Sequence, residues 1–468
     1  MTSSEPSFGT DGVRGVANRE LTAAFALKLG IAAAHVLARH ADNRHVIVGR
    51  DTRVSGDMLE AALSAGLASS GCHVMNVGVV PTPAVSHIVV RMNAAAGAVI
   101  SASHNPYEDN GIKFLGPDGC KLPDGLETEI SEALATAHEL PRPTGEAIGR
   151  IADMAEGGRA SAGDPDGCAE TRAPVLGYVT HVAATAGGPL DGFRLVLDCA
   201  NGATSAYAPE LFADLGAEVH VLNAEPDGVN INRDCGSTAP AAMCAAVRAV
   251  GAHAGLAFDG DGDRVIMADE TGTVVDGDRI MAICATGMQR RGELPKDLVV
   301  ATIMSNAGFE AYLESHGIRL MRTDVGDRYV AEAMAGSGAA LGGEQSGHVI
   351  FAQLTRTGDG MVTGLQVLKE MRSSGKPLSE LSAPIPVYPQ LLRNVRVADR
   401  ERWRQSPEIQ HAIEEARANL DKPEWLSVRA SGTEPVVRVM AQGRDAHDVE
   451  RLVSALCALI ERHGGAAQ

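Results

Sequence analysis

The chain has 468 residues, too many for one hydrophobic core, and at roughly 100–200 residues per domain it calls for three or four domains. Its 45% hydrophobic and 21% charged content is that of an ordinary globular protein. A net charge of −18 argues against nonspecific nucleic-acid or anionic-membrane binding, and 3% aromatic residues leave little on which to stack bases. An anionic small molecule stays compatible, because one pocket can be basic in an acidic protein. Eight scattered cysteines without a C-x-x-C pair read as thiols in a reducing compartment, not as a disulfide frame or a zinc site. With no apolar leader and no uninterrupted apolar run of about 18 residues, the chain is expected to be cytoplasmic.

In chain order, the first feature is the glycine-rich loop Phe8-Gly-Thr-Asp-Gly-Val-Arg-Gly15, where Arg14 and neighbouring N–H groups suit a phosphate or sugar contact. An Ala-rich helix follows over 21–38, then a strand from His45 to Arg50 and a helix capped near Ser55 and ending near Ser70. A strand over 72–77 and a break at Pro81 and Pro83 lead to another helix and then to the apolar run Ala98-Val-Ile100. That run stops at Ser101-Ala-Ser-His-Asn-Pro106. Proline cannot continue a ladder and biases Asn105 toward a turn, so Ser103 and His104 are expected on a tight loop at the carboxyl end of a strand. Ligands bind there in open α/β sheets. Of the two serines, Ser103 is the candidate, since Ser101 still belongs to the strand end.

Strand, polar loop, helix, glycine and strand recur over 194–222 and over 298–321, which predicts three related α/β domains in series. A Gly/Ala/Asp-rich tract between 141 and 192 reads as a linker or surface insertion. The tail holds a strand over 426–429, a loop, a strand over 436–439 and a helix over 447–463, a small α+β domain. The expected fold is α/β, with domains at 1–158, 159–256, 257–375 and 376–468 arranged around one central cleft.

Three further motifs carry chemistry. In Asp259-Gly-Asp-Gly-Asp-Arg264 the glycines let three carboxylates converge, and hard oxygen ligands of this kind suit Mg²⁺. The later Gly and Glu of an EF-hand are missing at the required spacing; a solvated acidic turn is the plain alternative. Arg264 could neutralise part of that charge. In Gly342-Gly-Glu-Gln-Ser-Gly-His348, Glu344 and Ser346 suit sugar hydroxyls, and His348 could move a proton. Arg429-Ala-Ser-Gly-Thr-Glu-Pro435 with Arg438 has the guanidiniums, the hydroxyls of Ser431 and Thr433, and the Gly432 N–H of a phosphate cradle.

These motifs, in this order from Phe8 to about Gly443, resemble the α-D-phosphohexomutase superfamily. The forms F-G-T-D-G-V-R-G, G-G-E-Q-S-G-H and Val325-Gly-Asp-Arg-Tyr-Val330 are similar to those of its bacterial branch acting on glucosamine phosphates. The resemblance implies four domains around a cleft, the first three sharing one topology. It implies interconversion of glucosamine 6-phosphate and glucosamine 1-phosphate, on the route to UDP-N-acetylglucosamine, through a phosphoserine at Ser103 and a bisphosphorylated sugar. Mg²⁺ is then held by the phosphoryl group on Ser103 and by Asp259, Asp261 and Asp263. Arg264 and Lys113 would offset charge on the transferring group, His348 or Lys113 would serve as general base or acid, and His104 would orient the serine or shuttle a proton. Arg429, Ser431, Gly432, Thr433 and Arg438 would hold the phosphate that is not reacting. Implied partners are a phosphosugar substrate, glucosamine or glucose 1,6-bisphosphate as primer, and an activating kinase or autophosphorylation at Ser103, in a monomer or homodimer. The alternatives are a mutase for mannose or glucose phosphates, a metal-dependent sugar phosphatase with Asp259 as nucleophile, and an idle sugar-phosphate binder. Two departures stand out: a longer tract over 157–174, and Ala239 where relatives often carry His.

Overall fold

The computed structural model describes residues 6, 8–9, 12–37, 39–40, 43–154, 173–399, 402–430 and 436–464. The 157–174 tract therefore lies almost wholly outside the described residues. The described residues form four sheets of seven, five, four and three strands.

The first sheet holds β1 (Phe8–Gly9), β2 (Gly12–Val16), β3 (His45–Arg50), β4 (His73–Val79), β5 (Ala96–Ile100), β6 (Asp109–Leu115) and β7 (Ile151–Asp153), in the order β1-β2-β6-β5-β3-β4-β7. The second holds β8 (Arg194–Asp198), β9 (Glu218–Leu222), β10 (Ala254–Phe258), β11 (Val265–Asp269) and β12 (Val274–Val275), in the order β12-β11-β10-β8-β9. The third holds β13 (Leu298–Thr302), β14 (Arg319–Thr323), β15 (Leu341–Gly343) and β16 (Val349–Phe351), in the order β14-β13-β15-β16.

One unit is common to all three: a strand, a parallel neighbour on one side (β3–β4, β8–β9, β13–β14), a parallel neighbour on the other (β5, β10, β15), then an antiparallel return (β6, β11, β16). The turn before that return is 101–108 in the first unit, 259–264 in the second and 344–348 in the third. The serine loop, the aspartate loop and the G-E-Q-S-G-H loop thus occupy one topological position repeated three times. β5 and β10 are buried at every residue, as their unbroken apolar runs require of strands covered on both faces.

Helices fill the layers. α1 (Ala23–Leu37) and α2 (Gly56–Ser69) cover one face of the first sheet, and α3 (Thr82–Arg91) lies on the other. α1 and α2 cross where Gly30 and Gly66 meet: a Cβ on Gly66 would lie 2.2 Å from the Leu27 carbonyl oxygen. α4 (Asp124–Ala135) packs beside α1, while α5 (Ala173–Thr185) lies between α3 and a long helix of the third unit. α6 (Ala208–Asp214) and α7 (Ala241–Val250) belong to the second unit. α8 (Gly277–Arg291), α9 (Ala307–Ser315), α10 (Asp327–Ser337), α11 (Gly360–Ser374) and α12 (Leu378–Ser382) belong to the third. α8, α9 and α11 start on side chains that accept backbone N–H bonds, Asp276, Asn306 and Asp359. One apolar core runs through all three units, from Val85 and Ile88 through Tyr178, Phe212 and Phe258 to Met281 and Leu365.

The last unit pairs β17 (Gln390–Arg396), β18 (Leu426–Ala430) and β19 (Val436–Gln442) antiparallel in the order β17-β19-β18 under α13 (Pro407–Ala418) and α14 (Ala446–Gly464), with a core of its own. Two boundaries differ from expectation. β11 and β12 keep the second sheet going past 256 to Val275, because the aspartate loop is a hairpin turn inside that sheet and not a link between domains. α12 packs on α8, and Ile385 joins the shared core, so the third unit also runs on past 375. Among the described residues the seven cysteines form no disulfide, and no helix is long and apolar enough to cross a membrane.

Candidate active site

Ser103 is 4% exposed and its backbone is left-handed at φ +50°. Its hydroxyl donates to Asp259 Oδ2 at 2.6 Å, across from the first unit to the second. Its N–H donates to Ser101 Oγ at 2.8 Å, and Ser101 Oγ donates to Asp51 Oδ2 at 2.5 Å. Ser101 is therefore a strut, as its place at the strand end suggests. Asp51 in turn accepts from Arg53 Nε at 2.9 Å, both side chains being fully buried. Arg53 Nη2 donates to the carbonyls of Ser103 (2.9 Å) and Asn105 (2.8 Å), and Nη1 to those of Asp109 (3.1 Å) and Pro106. From the second unit, Asn232 Nδ2 donates to the same Ser103 and Asn105 carbonyls at 2.8 and 3.0 Å.

Asp259, Asp261 and Asp263 are buried and bring one carboxylate oxygen each within 4.8 Å of the others. Asp259 Oδ1 accepts from the Arg264 N–H, and Asp261 Oδ2 accepts from Thr82 Oγ (2.6 Å) and Lys113 Nζ (3.1 Å). Asp263 Oδ2 lies 3.7 Å from Lys113 Nζ and 3.5 Å from His348 Nδ1. Asp261 Oδ1 and Asp263 Oδ1 are buried without a hydrogen-bond partner. Burial, then the charges of Asp263 and Asp261, push Asp259 well above the ordinary carboxyl range. Burial works the same way on Asp263, but His348, Lys113 and Arg264 overcome it and hold that group ionised. Three converging buried carboxylates, two of them with an oxygen that has no hydrogen-bond partner, fit a divalent cation; the triad is a candidate metal site.

Arg264 Nη1 donates to His104 Nδ1 at 3.2 Å, and Ser103 Oγ lies 3.4 Å from the same nitrogen. Burial, with Arg264 and Arg14 nearby, pulls the His104 pKa down against the opposing charges of Asp261 and Asp263. Arg14, on β2 opposite Gly111 of β6, thus borders the serine loop. His348, expected to move a proton, lies against the aspartate triad. It is 1% exposed, its Nε2 accepts from the Gly358 N–H at 3.1 Å, and its Nδ1 faces Asp263. Burial alone would lower its pKa; Asp263 overrides this and raises it to about 9, while the Gly358 donor opposes a second proton. His348 therefore braces the aspartate loop from behind.

Glu344 Oε2 accepts from Ser346 Oγ (3.2 Å) and Oε1 from the Gly326 N–H (3.1 Å), which ties the third loop to the Val-Gly-Asp-Arg-Tyr-Val segment. Arg328 of that segment pairs with Asp124 at the start of α4, Nη2 to Oδ2 at 2.6 Å, bridging the third and first units. Arg429 and Arg438 stand directly opposite each other on β18 and β19. Burial and the Arg438 charge lower the Arg429 pKa. Like charges paired across strands repel, and an anion between them relieves this. Ser431, Gly432 and Thr433 lie outside the described residues. Ala239 sits in the turn before α7, its N–H donating to the Gly236 carbonyl. Sequence reading missed Asp51, Arg53, Thr82, Asn232 and Gly358. The short run Gly49-Arg-Asp-Thr-Arg53, charged residues at a strand end, was the only available signal for the first two.

Models of the phosphoglucomutase/phosphomannomutase family match in series: α/β/α domain I at 5–140, domain II at 177–272, domain III at 276–388 and the C-terminal domain at 392–459. The chain belongs to this family, the α-D-phosphohexomutase superfamily. It is 51% identical over 450 residues to the phosphoglucosamine mutase of Moorella thermoacetica (96% of this chain, 98% of the relative). It is 47% identical over 460 residues to that of Geobacillus kaustophilus (98% and 99%). Within the superfamily it thus falls among the phosphoglucosamine mutases, which are isomerases. The fold matches a phosphoglucomutase/phosphomannomutase family protein of Burkholderia thailandensis (TM-score 0.79, 23% identity, 100% of this chain and 99% of that one). It also matches Aspergillus fumigatus N-acetylphosphoglucosamine mutase in complex with GlcNAc-6P and magnesium (TM-score 0.68, 18% identity, 99% and 96%).

Proposed function

We propose that the chain interconverts glucosamine 6-phosphate and glucosamine 1-phosphate in the cytoplasm, with Ser103 as the phosphoryl carrier. The observation that supports this most is the 2.6 Å contact from Ser103 Oγ to the aspartate triad. The P–Oγ bond of phosphorylated Ser103 breaks as a substrate hydroxyl oxygen bonds to phosphorus, and the hydroxyl proton leaves to a nearby base. The bisphosphorylated sugar turns over in the cleft, and Ser103 Oγ takes the other phosphoryl group back. Asp259, Asp261, Asp263 and a phosphoryl oxygen would hold Mg²⁺, which when bound withdraws charge from the group in transit. Lys113 and Arg264 oppose the same charge from the protein side. Lys113 or His348 serves as general base or acid, and His104 orients the serine or shuttles a proton. Glu344 and Ser346 hold sugar hydroxyls. Arg429 and Arg438, with Ser431, Gly432 and Thr433, hold the distant phosphate, and Arg14 closes the near side.

The test is a coupled assay on glucosamine 6-phosphate with and without glucose or glucosamine 1,6-bisphosphate, with intact mass recorded alongside. Turnover, one phosphoryl mass on Ser103 and loss of both in Ser103→Ala are expected. Full turnover in Ser103→Ala, or net release of inorganic phosphate, overturns the assignment. Faster turnover of mannose or glucose 1-phosphate overturns the substrate. Incubating the dephosphorylated chain with bisphosphate, with ATP alone and with ATP plus a kinase separates primer, autophosphorylation and kinase as sources of the phosphate.

A further inference from the structure

The Ser103 and Asn105 carbonyls each receive two donors, one from Arg53 within the first unit and one from Asn232 in the second. Two acceptors facing one amide fix its orientation: Nδ2 points at the loop, and Oδ1 would be repelled there. Asn232 is itself held in the left-handed region at φ +57°, with its N–H on the Ala200 carbonyl at 2.9 Å. The aspartate loop rests on this clamp. A Cβ built on Gly260 would lie 2.6 Å from the Ser103 carbonyl oxygen and 2.9 Å from Asn232 Nδ2. Asn232 thus meets the serine loop on one side and the aspartate loop on the other, while the side-chain partners of Ser103 Oγ are Asp259 and His104.

We infer that Asn232 is a positioning residue that fixes the direction of Ser103 Oγ, and so decides how faithfully the phosphoryl group passes to sugar instead of water. This rests on Ser103 being the phosphoryl carrier. A left-handed serine is strained by about 1 kcal/mol or more and holds its angle only if its surroundings over-determine it. Arg53 anchors the loop within its own unit; Asn232 references it to the unit that carries the aspartates. Without Asn232 the loop keeps one donor per carbonyl and stays folded, but the angle between Ser103 Oγ and the aspartate loop loosens. Misplacement by about 1 Å costs on the order of 100-fold in transfer. The same loosening admits a water, whose oxygen attacks phosphorus while the P–Oγ bond breaks, giving inorganic phosphate and a free serine hydroxyl.

Asn232→Asp keeps the shape and tolerates the left-handed backbone but replaces the donor with an acceptor; Asn232→Gly tolerates the backbone and removes the side chain. Both are compared with the parent by loading Ser103 from labelled glucose 1,6-bisphosphate and following label into sugar and into inorganic phosphate in one turnover. Expected are a fall in kcat of about 10- to 100-fold, greater for Asp than Gly, little change in KM, and a several-fold larger fraction of label lost as phosphate. Unchanged melting temperatures accompany this. Variants that load, partition and turn over like the parent overturn the role, as does a raised KM at parental kcat. A parent that takes no label on Ser103 removes the phosphoserine reading and the clamp with it; a labelled parent with indifferent variants removes the clamp alone.

Discussion

Replacing Arg53 by Met tests whether the serine loop is built on a buried charge. Arg53 is 1% exposed and Asp51 is fully buried. Burial already raises the Asp51 pKa against the pull of Arg53 and Ser101. Removing one partner of such a pair costs about 3–5 kcal/mol, because the other is left uncompensated. The Ser103 and Asn105 carbonyls keep Asn232, but those of Pro106 and Asp109 lose the Arg53 donor, at about 1–3 kcal/mol each if they stay buried. The local opening free energy of the loop should therefore fall by about 5 kcal/mol or more. The reporters are the amides of Ser101, Asn105 and Asp109, which donate to the carbonyls of Gly111, Ala102 and Pro106 and should lose protection in hydrogen exchange. The double variant Asp51→Asn/Arg53→Met removes the stranded charge, keeps an acceptor for Ser101, and should recover about 3 kcal/mol. Arg53→Lys keeps the charge but not the fork, so it should protect the loop partly while still losing activity. If the double variant exchanges as fast as Arg53→Met alone, the buried charge is not what the loop depends on and the reasoning fails.

Gly260→Ala forces a methyl against the Ser103 carbonyl and should lower kcat by about 100-fold with the fold retained, read by steady-state kinetics and circular dichroism. Gln442 is fully buried and joins the last unit to the third, accepting from the Ala307 N–H (2.6 Å) and donating to the Ser305 carbonyl (3.0 Å). Gln442→Ala should raise KM for the phosphosugar several-fold, more than it lowers kcat, and speed proteolysis over 383–389. Asp278 has its pKa pushed by burial and by Asp276 from 3.8 to about 7. Its folded form keeps a proton that the unfolded chain has released, so stability falls as pH rises between about 4 and 7 and levels off above. The loss is at most about 4 kcal/mol. Asp278→Asn should flatten that part of the melting-temperature profile and exceed the parent above pH 7; a profile parallel to the parent's refutes the assignment.

The loops were legible because each begins where an unbroken apolar strand meets abrupt polarity: Ile100 to Ser101, Phe258 to Asp259 and, less sharply, Leu341 to Glu344. Their shared position was not, because the returning strands do not advertise themselves. β6 opens Asp-Asn-Gly, and β16 has three residues. The boundary expected at 256 failed for the same reason: three carboxylates read as a break unless the strand that folds back is recognised. Asn232 lies 129 residues from Ser103 and carries only the look of a turn residue. The Gly358 N–H on the His348 ring was not legible, because nothing in Gly-Glu-Gln-Ser-Gly-His announces it.

The aspartate loop is finished by the third unit. The Gly262 carbonyl accepts from the Gly360 N–H at 3.0 Å, the Val265 N–H donates to the Gly347 carbonyl at 3.2 Å, and His348 backs Asp263. On a ribosome, a nascent chain of about 300 residues already displays Ser103 and all three aspartates, and units synthesised first generally fold first. Yet it has nothing to close the turn between them. Synthesis order therefore leaves this turn unfinished until residue 360 has cleared the exit tunnel.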